Sequence, residues 1–139
     1  MPPERVRAIP AEVARDLLEM LEVVVSDRGT AWRADVPNYR VGGKTGTAEM
    51  TEGGNYSDDK RRSIFAGLAP VSNPRFVAVV VINNPRSQAY QGGEVAAPVF
   101  SRVMERALRT YGVEPDDLPE PESAPERETE LISRAEVRR

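Results

Sequence analysis

The chain has 139 residues, 40% of them hydrophobic and 6% aromatic, a composition that fits one domain with a modest core. It contains neither cysteine nor histidine, which excludes disulfides, thiolate or histidine metal sites, and a Ser-His-Asp triad built from this chain. Residues 114–139 hold nine acidic residues against four arginines, so this segment has a charge of −5. Since the whole chain has a net charge of −3, residues 1–113 have a charge of +2. A body so nearly balanced indicates no nucleic-acid partner.

The first predicted element is an amphipathic helix over about residues 11–26. Pro10 suits the first helical position, and Gly29 lies just beyond the stretch, where it can end the helix. Six apolar residues recur at helical spacing and predict the buried stripe: Ala14, Leu17, Leu18, Leu21, Val24 and Val25.

Three strands are predicted next. Residues 38–49 form a strand rich in threonine and glycine, residues 50–60 a polar loop, and residues 63–69 a second strand. Residues 76–82 are an almost continuous β-branched run, typical of a strand buried on both faces. The short connection over 70–75 favours an antiparallel hairpin.

A last helix is predicted over about residues 94–111, with Gly112 at its end. Its predicted core stripe is Ala96, Val99, Phe100, Val103, Ala107 and Leu108. The pattern predicts an α/β fold, an α+β sandwich in which helices pack on an antiparallel sheet. Residues 1–113 form this domain portion, and residues 114–139, rich in proline and glutamate, are predicted to be a disordered acidic tail.

The segment Gly43-Lys44-Thr45 resembles the end of a phosphate-binding P-loop. That motif needs a glycine five residues before its second glycine, and Asn38 stands there. It also needs a helix immediately afterwards, whereas a glycine-containing polar loop is predicted here. The P-loop interpretation is therefore disfavoured.

The string Lys44-Thr45-Gly46-Thr47 on a strand indicates a different chemistry. Lys-Thr-Gly is one of three signatures of penicillin-binding proteins and class A β-lactamases, beside S-x-x-K and S-D-N. A strand edge here offers hydroxyls, an ammonium and a backbone N–H, and Gly46 has no side chain to block a ligand alongside. These groups can bind a carboxylate and donate to a developing oxyanion.

Three segments together carry a family resemblance. They are YRVGGKTGTA at 39–48, FAGLAP at 65–70 and YQGGEVAAPVF at 90–100. In this order and spacing they resemble the C-terminal part of the transpeptidase domain of class B penicillin-binding proteins. The resemblance is greatest to the division-specific FtsI type. The resemblance covers about residues 5–118.

The resemblance implies a serine D,D-transpeptidase and assigns roles to residues of this chain. Lys44 would take the electrostatic and proton-relay position, and the Thr47 N–H would be one of two oxyanion donors, so Lys44 and Thr47 are the expected catalytic residues. Gln91 departs from an aromatic residue often found in the family. The expected substrate-binding residues are Thr45, Gly46, Thr47 and Tyr90.

The resemblance also implies partners and a location. The substrate would be a peptidoglycan stem peptide ending in D-Ala-D-Ala, and β-lactams would acylate the same serine. The parent protein would act on the periplasmic side of the cell inner membrane, with cell-division membrane proteins as partners. Neither a cofactor nor a metal is expected.

The nucleophile of the family is missing from this chain. The sequence contains no S-x-N, and its one S-x-x-K, at residues 57–60, follows the Lys-Thr-Gly strand instead of preceding it and lies in a polar stretch. Ser57 is therefore interpreted as a surface serine. We expect the serine on an upstream part of the same polypeptide, and the chain alone to be inactive.

Two alternatives stay open from the residues. A β-lactamase or D,D-carboxypeptidase fragment would share Lys-Thr-Gly, and a non-catalytic module could use the glycine-rich strand edge to pair with a partner strand. Arg61 and Arg62 are interpreted as part of a solvated loop.

Overall fold

The computed structural model describes residues 6–52, 55–85 and 90–118, with the side chains of 51–59 outside the description. Its elements are α1 (Ala11–Val25), a 3₁₀ turn (Trp32–Ala34), β1 (Gly42–Glu52), β2 (Asn55–Ala69), β3 (Phe76–Asn83), α2 (Gly92–Val95) and α3 (Ala97–Thr110). The order helix, three strands, helix confirms the predicted α/β fold. In the described ranges, no helix is long and apolar enough to cross a bilayer.

The three strands form one antiparallel sheet in the order β1-β2-β3. β1 pairs with β2 from Gly42↔Leu68 to Glu52↔Asn55, with an irregularity between Glu49 and Thr51. The predicted polar loop over 50–60 is therefore wrong, because both strands continue into it. A sheet ladder is made by backbone groups, so it can extend through polar residues.

The two faces of the sheet differ in burial. Alternate residues of β3, from Phe76 to Ile82, pack against the core, whereas Val77, Val79 and Val81 are 74%, 60% and 50% exposed. The prediction that this strand is buried on both faces is wrong. Helix α3 covers only one face, hereafter the inner face. On the other face, hereafter the outer face, the described residues leave these valines uncovered.

Helix α3 buries part of the predicted stripe, Phe100 and Leu108, with Ala96 just before it. Its buried residues are Ala97, Phe100, Met104 and Leu108. Val99 and Val103, predicted to be core, are exposed, Val103 by 55%. Val103 and Met104 are adjacent apolar residues of this helix, and packing against the sheet buries Met104 and leaves Val103 exposed.

The centre of the core is an aromatic pair. The Phe65 ring on β2 meets the Phe100 ring on α3 edge to face, with centroids 4.9 Å apart. Gly43 and Gly67 are cross-strand partners beside these rings. A Cβ on Gly67 would lie 2.7 Å from the Phe65 ring and 2.8 Å from the Phe100 ring. The paired glycines therefore make the space that the two rings fill.

Helix α1 runs from Ala11 to Val25 and confirms the predicted helix to within one residue. Pro10 is its N-cap rather than its first helical residue, and Leu17, predicted to be buried, is 44% exposed. Leu21 packs beside Gly42 at the start of β1.

An ion pair ties α1 to the segment that leads into β1. The Arg40 guanidinium donates to both carboxylate oxygens of Glu22, at 2.7 and 2.6 Å. This hydrogen bond, with the nearby acidic charges, raises the pKa of Arg40. The arginine therefore stays charged at any practical pH.

The segment after α3 also holds this approach to β1. The Asp116 carboxylate accepts from the backbone N–H of Arg40 at 2.8 Å and of Ser72 at 3.1 Å. The Tyr39 hydroxyl donates to the Val113 carbonyl at 2.7 Å, and the Asp117 N–H donates to the carbonyl of Asn38, a residue with positive φ. Contacts with the body thus continue to residue 117, past the predicted boundary at 113, while residues 119–139 of the predicted tail lie outside the described residues.

Candidate active-site strand

β1 places the four motif residues in one row at the side of the sheet. Lys44, Thr45, Gly46 and Thr47 stand opposite residues 66, 65, 64 and 63 of β2. Lys44 and Thr47 are exposed, and Thr45 and Gly46 are partly buried. Among the described strands β1 pairs with β2 alone, so its second edge is open there.

Strand alternation divides the motif between the two faces. Thr45 and Thr47 share the inner face with Phe65, whereas Lys44 and Gly46 lie on the outer face. The Lys44 ammonium turns back to donate to the Thr45 carbonyl at 3.1 Å. In an antiparallel strand this carbonyl and the Thr47 N–H point to the same side. The amine and the predicted oxyanion donor therefore lie along the same side of the strand.

Gly43, just before the row, and Gly46, within it, lack a side chain for different reasons. A Cβ on Gly43 would collide with the Phe65 ring and lie 2.8 Å from the Ala66 carbonyl oxygen. A Cβ on Gly46 would meet only the Ile64 side chain, at 3.5 Å and beyond, which is ordinary contact. Gly43 is thus required by packing, whereas nothing in the described residues requires glycine at 46.

Tyr90 is anchored over the inner face by a buried serine. Ser63, fully buried and directly opposite Thr47, donates its hydroxyl hydrogen bond to the Tyr90 carbonyl. Gly92 then crosses the β1–β2 ladder so closely that a Cβ would lie 2.7 Å from the Gly46 carbonyl oxygen. The glycine pair at 92–93 allows this close crossing, which brings the Tyr90 segment against the motif strand.

Arg61 connects Tyr90 to the end of the motif row. Its guanidinium lies over the Tyr90 ring, 5.0 Å from the centroid, and donates to the carboxylate of its cross-strand partner Glu49 at 3.1 Å. The interpretation of Arg61 as part of a solvated loop is wrong. Arg62, on the outer face, is exposed and donates to the Asn83 side-chain oxygen at 2.8 Å.

The motif row is an open edge rather than a closed cleft. A cavity of about 400 Å³ lies elsewhere, between the turn after β2 and the end of α3. A second, of about 220 Å³, lies beside Arg40 and the end of α1. Neither is lined by a motif residue, so the row by itself offers groups for one side of a ligand.

Sequence reasoning missed three of the residues that organise this region. The sequence pattern gives Ser63 and Glu49 no role and places Arg61 in a solvated loop, because it does not show which residues meet across the sheet. Alternation gives one signal, since Ser63 shares the inward parity of Phe65, Gly67 and Ala69. The backbone of Ser57 lies on β2, and its side chain is outside the description, so its interpretation as a surface serine stays a prediction.

A sheet edge bearing Lys-Thr-Gly-Thr, beside a helix-covered core, is typical of penicillin-binding proteins and class A β-lactamases. The chain belongs to the penicillin-binding protein transpeptidase domain family, which it matches over residues 1–105.

Several relatives support this assignment. The chain is 43% identical over 118 residues to the probable peptidoglycan D,D-transpeptidase PbpC of Pseudomonas aeruginosa, covering 84% of the chain and 21% of that protein. It is 42% identical over 112 residues to the peptidoglycan D,D-transpeptidase FtsI of Escherichia coli K12, covering 81% and 19%. The chain thus spans about a fifth of the length of these curated relatives.

A solved structure gives the same result. The transpeptidase domain of Burkholderia pseudomallei penicillin-binding protein 3, in its apo form, superposes with a TM-score of 0.75 at 43% identity. The match covers 86% of this chain and 36% of that domain structure. The resemblance to FtsI-type proteins is therefore confirmed in sequence and in fold.

Proposed function

We propose that this chain forms the Lys-Thr-Gly-Thr side of the active site of a serine D,D-transpeptidase that cross-links peptidoglycan during cell division. In this reaction a serine attacks the D-Ala-D-Ala bond of a stem peptide, D-alanine leaves, and the acyl group passes to an amine of a neighbouring stem. β-Lactams acylate the same serine.

The observation that carries the proposal is the combination of an open edge with a glycine that packing does not require. Gly46 has room for a Cβ, so packing does not explain why glycine stands there. Lys44 and Thr47 on the same strand are exposed, and they carry an ammonium and a hydroxyl. Glycine in a strand interior weakens the strand unless something approaches closely. A peptide lying along this edge accounts for Gly46.

Each motif residue then has a role that fits its position. The hydroxyls of Thr45 and Thr47 bind the terminal carboxylate of the substrate, and the Thr47 N–H donates to the oxyanion as it forms. Lys44 supplies positive charge on the same side of the strand and serves in proton relay. Tyr90, 43% exposed and anchored by Ser63, lines the inner-face side of the site.

The serine comes from a longer protein, hereafter the intact transpeptidase. S-x-N is absent from this chain and its one S-x-x-K lies after the motif strand. The uncovered valines of the outer face, Val77, Val79 and Val81, supply apolar surface on which further parts of the domain can pack. By its relation to FtsI proteins, the intact transpeptidase acts at the periplasmic side of the inner membrane beside other division proteins.

The test is acylation of the intact transpeptidase by a fluorescent penicillin. Thr47→Val keeps the shape of an exposed strand residue and removes its hydroxyl, so we expect acylation to slow about ten-fold or more, the usual effect of losing a hydrogen bond to a charged group. Thr110→Val, at the end of α3, is the matched control and should stay within about two-fold of wild type. Wild-type acylation of Thr47→Val would overturn the proposal.

A further inference from the structure

We propose that Arg61 is a positioning residue that holds the Tyr90 ring near Glu49, at the end of the motif row, and thereby sets the affinity of the site for its ligands. This inference rests on the proposed function and adds a residue to it. Arg61 reaches Tyr90 through its flat guanidinium, which lies 5.0 Å from the ring centroid.

The backbone and the ring of Tyr90 are held by different residues. The buried Ser63 hydroxyl fixes the Tyr90 carbonyl, which sets where the chain crosses the sheet but leaves the side-chain torsions free. The ring is partly exposed, so packing alone does not fix it. The Arg61 guanidinium covers one ring face and selects among the ring positions.

Arg61 is itself oriented from the motif strand. Glu49, two residues beyond Thr47 on the same face of β1, accepts its hydrogen bond at 3.1 Å. Both members of this ion pair are partly exposed, so its contribution to folding is small. Its effect is geometric, because it fixes the plane of the guanidinium that stacks on Tyr90.

If Arg61 positions the Tyr90 ring, its removal should weaken ligand binding and leave the rate of the chemical step unchanged. In the intact transpeptidase, penicillin acylation separates into a dissociation constant for the first complex and a rate constant for acylation. Arg61→Leu should raise the dissociation constant about two- to five-fold, the size of an exposed cation–π contact. The acylation rate constant should stay within about two-fold.

The neighbouring arginine gives a matched control. Arg62→Leu removes the same group from the adjacent position, but on the outer face, where it donates to Asn83 and not toward Tyr90. It should leave both constants within about two-fold. An equal effect of the two substitutions, or a slower acylation step with an unchanged dissociation constant for Arg61→Leu, would overturn the inference.

A second measurement does not depend on activity. Stacking over an aromatic ring shifts the NMR resonances of the arginine side chain upfield, and Tyr90→Leu should remove this shift from Arg61 in the full chain. Arg61→Lys keeps a cation but loses the flat stacking surface. It can replace Arg61→Leu in the binding measurement if Arg61→Leu lowers stability. If wild type is not acylated at all, the proposed function fails, whereas an Arg61 resonance unaffected by Tyr90→Leu contradicts only the positioning role.

Discussion

Gly43 of β1 lies beneath the Phe65 ring of β2, where no larger residue fits. This contact distinguishes Gly43, which packing requires to be glycine, from Gly46, which it does not. Gly43 belongs to the core, together with its partner Gly67, and Gly46 belongs to the open edge. The strand is therefore packed into the core at Gly43, and at Gly46 it has room for the ligand that we propose.

A pair of alanine substitutions tests this division. Gly43→Ala forces the Phe65 ring and the β2 backbone to move, and we expect a loss of about 1–3 kcal/mol in the free energy of unfolding, typical of overpacking. Gly46→Ala should be neutral or slightly stabilising in urea denaturation, because alanine has less conformational entropy in the unfolded chain. In the intact transpeptidase it should nevertheless slow penicillin acylation. Equal losses of stability for the two variants would contradict the assignment.

The carboxylate of Asp116 joins two segments that are far apart in sequence, at Arg40 and Ser72. Removing it in Asp116→Ala leaves two backbone N–H groups without their acceptor, so we expect a loss of about 1–3 kcal/mol in unfolding free energy. Asp117→Ala is the control, because Asp117 bonds to Asn38 through its backbone N–H. Urea denaturation should show a change within about 0.5 kcal/mol for this control. An Asp116 variant as stable as wild type would show that the bridge has no energetic role.

The outer-face valines predict the behaviour of the chain in isolation. An apolar sheet face of this kind favours self-association, so sedimentation velocity of the 139-residue chain should show species larger than a monomer at micromolar concentration. Val79→Lys places a charge in the middle of the face and should shift the distribution toward monomer. Val99→Lys, an exposed valine on α3, should not. A wild-type chain that stays monomeric would contradict the prediction that the outer-face valines drive self-association.

The sequence predicted much of the fold because several local signals agree. For α1, Pro10 before the helix and the apolar spacing through Val25 both define the boundaries. For β3, the β-branched run is confirmed as a strand, yet its burial was predicted wrongly, because composition does not report which face another element covers. For α3, Val103 and Met104 are both apolar, and only the packing against Phe65 and the sheet decides between them.

The sequence predicted the motif of the candidate site but not the contacts that hold the residues around it in place. Lys44 to Thr47 form a recognisable string, and the structure places them on one strand as expected, with Lys44 and Thr47 exposed and Thr45 and Gly46 partly buried. The contacts of Ser63 with Tyr90, and of Arg61 with Glu49, join residues that only the sheet register and the glycine crossing bring together. Spacing along a sequence contains no information about such a crossing.

The most direct test of the central claim is to map the penicillin adduct. Peptide mass spectrometry of the labelled intact transpeptidase should place the acyl group on a serine outside residues 1–139. Lys44→Ala should slow labelling at least ten-fold, because it removes the ammonium beside the motif hydroxyls. The 139-residue chain alone should remain unlabelled. An adduct on Ser57 or any other serine of this chain, or labelling of Lys44→Ala at the wild-type rate, would contradict the account.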